Sequence, residues 1–217
     1  MQIKNIFFDM DGTILDTLQD ILDAVNFALK ECGYQRVHTY EDGKRFIGGG
    51  AYVLAARALA FTDYTDEELT KFREVFFQHY QEFQDRNTKP FPGMINFLRD
   101  LKKKYRLFII SNKPDFLLQE IVHEKLEDGL FCDLIGHKEE NPEKPDPFAV
   151  NKMISKHHLN RDECIYVGDS IIDVETAINA KVKSCLVTYG YGQYNKELLK
   201  KADYTASNVE DLRKLFL

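Results

Sequence analysis

The sequence predicts an α/β protein: a Rossmann-like parallel sheet sandwiched by helices, with an all-helical segment inserted after the first strand. Three observations carry this. From residue 94 onward, short apolar runs (RLFIIS, CDLIG, CIYVGD, SCLVT) alternate with helix-period segments, the pattern of parallel strands buried on both faces. Between residues 16 and 88 apolar residues recur at helical spacing and no run reads as a strand. Polar and charged residues follow the apolar runs directly, at the edge where open parallel sheets bind ligands.

The elements follow in order. NIFFD (5–9) reads as a buried strand. Helix 16–32 carries Leu18, Ile21, Leu22, Val25, Leu29 and Cys32 at three- and four-residue steps, with Asp16 as cap, Gln19 three residues on and Gly33 at its end. A second helix spans about 51–60. A third follows Thr65-Asp66-Glu67-Glu68, with Leu69, Phe72, Val75, Phe76, Tyr80 and Phe83 on one stripe. KPFPG (89–93) punctuates the chain as a linker. Helix 94–104 leads to strand 106–111, helix 115–126 to strand 132–136, a helix beginning at Pro147 and capped by Asp146 to strand 164–169, and helix 171–180 to strand 184–188. DYTA and helix 208–216 finish the chain. The expected domains are a core of residues 1–15 and 89–217 and a helical cap of residues 16–88.

Composition narrows the function classes. With 217 residues, 44% of them hydrophobic, the chain can build a full core. A net charge of −6 lacks the basic footprint of a nucleic-acid binder. No apolar run reaches the ~20 residues of a membrane span, and MQIKNIFFDM has no cleavage site, so a cytoplasmic protein is expected. The cysteines form no CxxC pair. Cys132, Cys164 and Cys185 lie in apolar runs and are expected to be reduced and buried. His157-His158 have no partner at ligand spacing and are assigned to the surface.

Four strand ends converge in this reading. Asp9 and Asp11 follow the first strand. Ser111, Asn112 and Lys113 follow the second, Lys144 lies in the loop after the third, and Asp169, Ser170 and Asp173 follow the fourth. Each has an ordinary explanation alone: a turn, a loop lysine, a helix cap. Their order along one sheet edge does not. Clustered acids repel one another unless a cation joins them, so acids with Ser111 and Lys144 define a site for a divalent metal and a phosphate. Gly48-Gly49-Gly50 lacks the GK[ST] of a P-loop and reads as a mobile cap loop.

FDMDGT, SNK, KPDP and GDSIID, in that order, resemble the motifs of the haloacid dehalogenase superfamily of phosphohydrolases, with the helical cap of the type inserted after the first motif. TILDTLQDILDAVNFAL, IGGGAYVLAARAL and VTYGYG are similar to phosphoglycolate phosphatases. The resemblance implies that Asp9 is the nucleophile and forms an aspartyl-phosphate, and that Asp11 is the general acid and then base. It implies Mg²⁺ held by Asp9, Asp169 and the Asp11 carbonyl. Thr13, Ser111, Asn112, Lys144, Gly49 and Gly50 would bind the substrate, with Lys144 neutralising charge and Asp173 and Ser170 standing behind these groups. The implied partner is a small phosphorylated metabolite, phosphoglycolate first, and the implied assembly a monomer or homodimer. Alternatives are a β-phosphoglucomutase-like phosphosugar mutase, against which SNK argues, and a pyrophosphatase. A receiver-type module is disfavoured by the inserted cap and by DxDGT on the first strand. Two departures stand out: Ala180-Lys181-Val182 lacks the helix-ending glycine common in relatives, leaving Asn179 or another cap, and Gly50 stands where relatives often carry a polar residue.

Overall fold

A computed structural model describes residues 2–217. Six parallel strands form the main sheet: β1 (Asn5–Phe8), β4 (Arg106–Pro114), β5 (Asp133–His137), β6 (Cys164–Gly168), β7 (Lys183–Val187) and β8 (Tyr204–Ala206), in the order β5-β4-β1-β6-β7-β8. The remaining strands, β2 (Leu15–Asp16) and β3 (Lys89–Pro90), pair antiparallel in a separate ribbon. β1 occupies the middle, pairing in register with β4 on one side and β6 on the other. The chain thus runs outward from β1 in both directions, and the crevice beyond its carboxyl end lies at a switch point.

β1 is buried on both faces, and its side chains alternate between two cores. Ile6 and Phe8 join a cluster with Phe97, Leu101 and Leu118, from helices α5 (Met94–Lys102) and α6 (Asp115–Lys125). Phe7 points the other way, to Val150, Met153 and Ala177 of α7 (Phe148–Lys156) and α8 (Ile171–Asn179). α9 (Lys196–Lys201) and α10 (Val209–Phe216) close the C-terminal part.

Between the ribbon strands lie α1 (Leu18–Glu31), α2 (Tyr40–Gly43), α3 (Gly50–Leu59) and α4 (Asp66–Phe83). They pack around a cluster of their own, with Ala24, Ala28, Leu59, Phe72 and Phe76 buried together; the core side contributes only Leu117 to it. Thr65 and Glu68 form a reciprocal cap at the start of α4. Asp20 ties α1 to the return segment: its carboxylate accepts from the N–H groups of Asn87 and Thr88 and from both side chains, at 2.7–3.0 Å.

Several local expectations are corrected. Asp16 does not cap α1. It lies in the ribbon, and its Oδ1 accepts from the Tyr191 hydroxyl at 2.7 Å, while Thr17 occupies the cap position without a side-chain bond. KPFPG is not a plain linker, since Lys89–Pro90 forms the second ribbon strand. β4 continues through Ser111, Asn112 and Lys113 because Pro114 still pairs with His137 past an irregular register. Cys132 is exposed; Cys164 and Cys185 are buried. His157 is half-buried, its Nε2 2.7 Å from Asp133 Oδ2. α8 ends with Lys181 in the left-handed region (φ 55), so neither a glycine nor Asn179 makes the stop; the Asn179 amide instead donates to the Pro145 carbonyl. No helix among the described residues is long and apolar enough to cross a membrane.

Candidate active site

Asp9 leaves the end of β1 with its N–H donating to the Val167 carbonyl, which fixes its backbone to β6. Gly12 (φ 81) then folds the chain back so that its N–H reaches the Leu15 carbonyl. A side chain at position 12 would collide with the Asp169 carboxylate and with Tyr191, so glycine lets Asp169 lie against this turn.

Lys144 is the hub. Its Nζ donates to Asp9 Oδ1 and Asp173 Oδ1, both at 2.8 Å, and to the Tyr166 hydroxyl at 3.1 Å. These three acceptors take all three ammonium protons. Asn112 positions the hub: its amide donates to the Lys144 carbonyl (3.1 Å) and accepts from the Lys144 N–H (2.8 Å). Asp173 Oδ2 accepts from the N–H and hydroxyl of Ser170, which caps α8 in return. Asp169 Oδ2 accepts from the Tyr191 N–H at 2.6 Å.

Charge does not balance in this cluster. Asp9, Asp169 and Asp173 are buried, with carboxylate oxygens within 4.8 Å of one another, around one lysine. Burial and the neighbouring Asp173 push Asp9 up to about 7. Burial, Asp173 and Asp9 push Asp169 well above the usual carboxylate range. Burial alone would lower Lys144, but Asp173 and Asp9 outweigh it and hold its proton firmly. Excess buried negative charge with hard oxygen donors fits a divalent cation such as Mg²⁺.

A cleft of ≈ 70 Å³ opens beside this cluster, between the sheet edge and the helical segment. Asp9, Asp11, Ser111, Asn112, Lys113 and Lys144 line one side, and Gly48, Gly50, Phe76, Phe77 and Tyr80 the other. Asp11 Oδ1 is buried without a hydrogen-bond partner. Of the predicted site residues, Thr13 is turned fully inside, its Oγ1 unpartnered and its carbonyl accepting from Tyr189. Gly49 is at the cap of α3, off the lining, while its neighbours Gly48 and Gly50 are on it. Asp169 and Ser170 face a second cavity (≈ 330 Å³) with Lys44, Arg45 and Tyr191.

Sequence reasoning placed Lys113 at the sheet edge without a role and missed two tyrosines. Lys113 is buried, its Nζ 2.5 Å from the Tyr80 hydroxyl and 3.7 Å from Asp11 Oδ1; burial lowers its pKa against the pull of Asp11. Tyr80 arrives from α4, stacked on Phe76. Tyr191 donates to Asp16 and accepts from the N–H groups of Thr17 and Leu18, joining the Asp169 loop to the start of α1. The motif SNK contained Lys113. The tyrosines had no signal beyond helical spacing for Tyr80 and the run YGYG for Tyr191.

The sheet, the acid cluster at its switch point and the helical insertion define a doubly wound α/β protein with a candidate metal and anion site. The model of the family described as haloacid dehalogenase-like hydrolase matches residues 6–187, and the chain belongs to that family. It is 37% identical over 195 residues to the phosphoglycolate phosphatase of Aliivibrio fischeri, covering 87% of this chain and 86% of that one. It is 32% identical over 214 residues to the protein of the same name from Aquifex aeolicus, covering 98% and 96%. A crystal structure from Lactobacillus delbrueckii subsp. bulgaricus, provisionally named phosphoglycolate phosphatase, superposes with a TM-score of 0.91 at 32% identity, covering 100% of this chain and 99% of that one.

Proposed function

We propose that this chain is a Mg²⁺-dependent phosphatase that hydrolyses a small phosphomonoester, phosphoglycolate first among candidates, through an aspartyl-phosphate on Asp9. The observation that carries the proposal is the bridge from Lys144 to Asp9 and Asp173, with Asp169 in the same carboxylate cluster. It orients one carboxylate at the mouth of a cleft while leaving a surplus of negative charge beside it. Asp9, Asp169 and the carbonyl of Asp11 would hold the metal, which supplies the positive charge that lets an anion approach a phosphate dianion.

The steps at the protein are these. An Asp9 carboxylate oxygen bonds to phosphorus as the ester P–O bond breaks, and Asp11 gives its proton to the departing oxygen. Water then gives a proton to Asp11 and attacks phosphorus, releasing phosphate and restoring the Asp9 carboxylate. Lys144 fixes the rotation of Asp9 and acts on the phosphoryl group through its charge, since its protons are committed. Ser111 stands on the cleft wall with a hydroxyl free to donate. The helical segment 16–88 serves as the cap that excludes water.

A phosphate-release screen over phosphoglycolate, sugar phosphates, nucleotides and pyrophosphate, with Mg²⁺ or EDTA, tests this. Turnover of small phosphomonoesters that stops in EDTA is expected. Undiminished turnover in EDTA, or release from pyrophosphate alone, would overturn it.

A further inference from the structure

Two lysines line the cleft, and they differ in what their protons do. Lys144 has an acceptor for each of its three. Among the described residues Lys113 Nζ has one hydrogen-bond acceptor, the Tyr80 hydroxyl. Asp11 Oδ1, at 3.7 Å, screens the Lys113 ammonium without occupying a donor. Lys113 is only 7% exposed and Tyr80 only 3%. The Tyr80 hydroxyl has no acceptor for its own proton among the described residues. Unused donors on a buried cation are costly unless a ligand takes them.

Location fixes which part of a ligand this is. Asp11 is the group that protonates the departing oxygen, so a cation beside it faces the leaving side of the ester and not the phosphoryl side. Around the pair the cleft is apolar, with Ile21, Ile47, Phe76, Phe77 and Leu117. One positive charge and one hydroxyl donor match a single monoanion with two oxygens; a second phosphate dianion would remain undersatisfied.

We infer that Lys113 and Tyr80 form a carboxylate subsite, which selects phosphomonoesters whose leaving group carries a carboxylate close to the ester oxygen. This rests on the phosphatase reading and adds to it which side chains read the leaving group. Because Tyr80 comes from α4 and Lys113 from β4, the subsite is complete only while helical segment and sheet are together. An acid of this kind would hold them so.

The test compares kcat/KM for 2-phosphoglycolate and 2-hydroxyethyl phosphate, which differ only by carboxylate against hydroxymethyl, with p-nitrophenyl phosphate as reference for the chemistry. The wild-type protein is expected to favour the acid by about 100-fold, the discrimination due to an ionic hydrogen-bonded pair. Lys113→Met should bring that ratio to within about fivefold of unity, and Tyr80→Phe should lower it about tenfold. A wild-type ratio below about tenfold, or equal losses on both substrates in Lys113→Met, overturns the inference while the phosphatase reading stands. Should Lys113→Met fail to fold, the wild-type and Tyr80→Phe ratios decide. If no phosphomonoester is turned over with Mg²⁺, the phosphatase reading fails and takes the subsite with it.

Discussion

Replacing Lys144 with methionine keeps the volume and removes the charge, which isolates the electrostatics of the acid cluster. Each Lys144–carboxylate contact is 2.8 Å long. At an effective dielectric constant of about 20 that is roughly 6 kcal/mol of attraction per contact. Desolvating the ions offsets most of it, at several kcal/mol per ion. What remains on truncation is a set of buried carboxylates with no counter-charge, and loss of one partner in such a cluster costs about 3–5 kcal/mol. Against a typical total of ~5–15 kcal/mol this is a large fraction. The deficit must grow with pH. In the variant Asp9 and Asp169 lack Lys144, which lowers both in the wild type, so their folded-state pKa values lie even further above the unfolded ones. The folded state then binds more protons than the unfolded chain, and its stability falls as pH rises through that window. Urea unfolding followed by circular dichroism, in EDTA at pH 5.5 and pH 8, measures it. The expected result is a gap of about 3–5 kcal/mol at pH 8 that shrinks at pH 5.5 and on adding Mg²⁺. A variant within about 1 kcal/mol of wild type at pH 8 in EDTA would refute the reasoning, since the lysine would then not be compensating buried acids.

Three further outcomes are expected. Metal binding needs ionised carboxylates, and burial pushes Asp9 up to about 7 and Asp169 well above its usual range, so the Kd for Mg²⁺ by titration calorimetry should rise at least about tenfold per pH unit below 7; a flat Kd between pH 6 and 8 contradicts the raised acids. Tyr191→Phe leaves Asp16 and the N–H groups of Thr17 and Leu18 without the shared hydroxyl, which should cost about 1–3 kcal/mol in urea unfolding; an unchanged midpoint would mean that water replaces it. Lys181→Gly should stabilise by about 0.5–1 kcal/mol, the left-handed strain removed less the entropy glycine adds to the unfolded chain; destabilisation would show that Lys181 is not strained.

The sheet was legible because parallel strands buried on both faces leave continuous apolar runs, as NIFF and CIYVG do. The acids and Lys144 were legible because each follows such a run, and sheet geometry alone brings strand ends together. What escaped was side-chain reach. Asp16 looks like a cap from its spacing, but the Tyr191 hydroxyl, more than 170 positions away in sequence, claims its carboxylate. Lys113 and Tyr80 are 33 positions apart and meet only because α4 folds over the sheet edge. Asn112 was read for its backbone N–H, and nothing in the spacing showed that its side-chain amide clasps the Lys144 backbone. Helix spacing placed Tyr80 on a buried stripe correctly but carried no information on what its hydroxyl would touch.

Rapid acid quench of the Asp11→Asn variant during turnover, followed by borohydride reduction and peptide mass spectrometry, tests the Asp9 nucleophile most directly. On the proposed mechanism the variant forms the acyl-phosphate from a good leaving group such as p-nitrophenolate but lacks the base that clears it. Homoserine in place of Asp9, and nowhere else, is the predicted result. Burst release of p-nitrophenol with Asp9 unmodified, or with homoserine at another position, would contradict it.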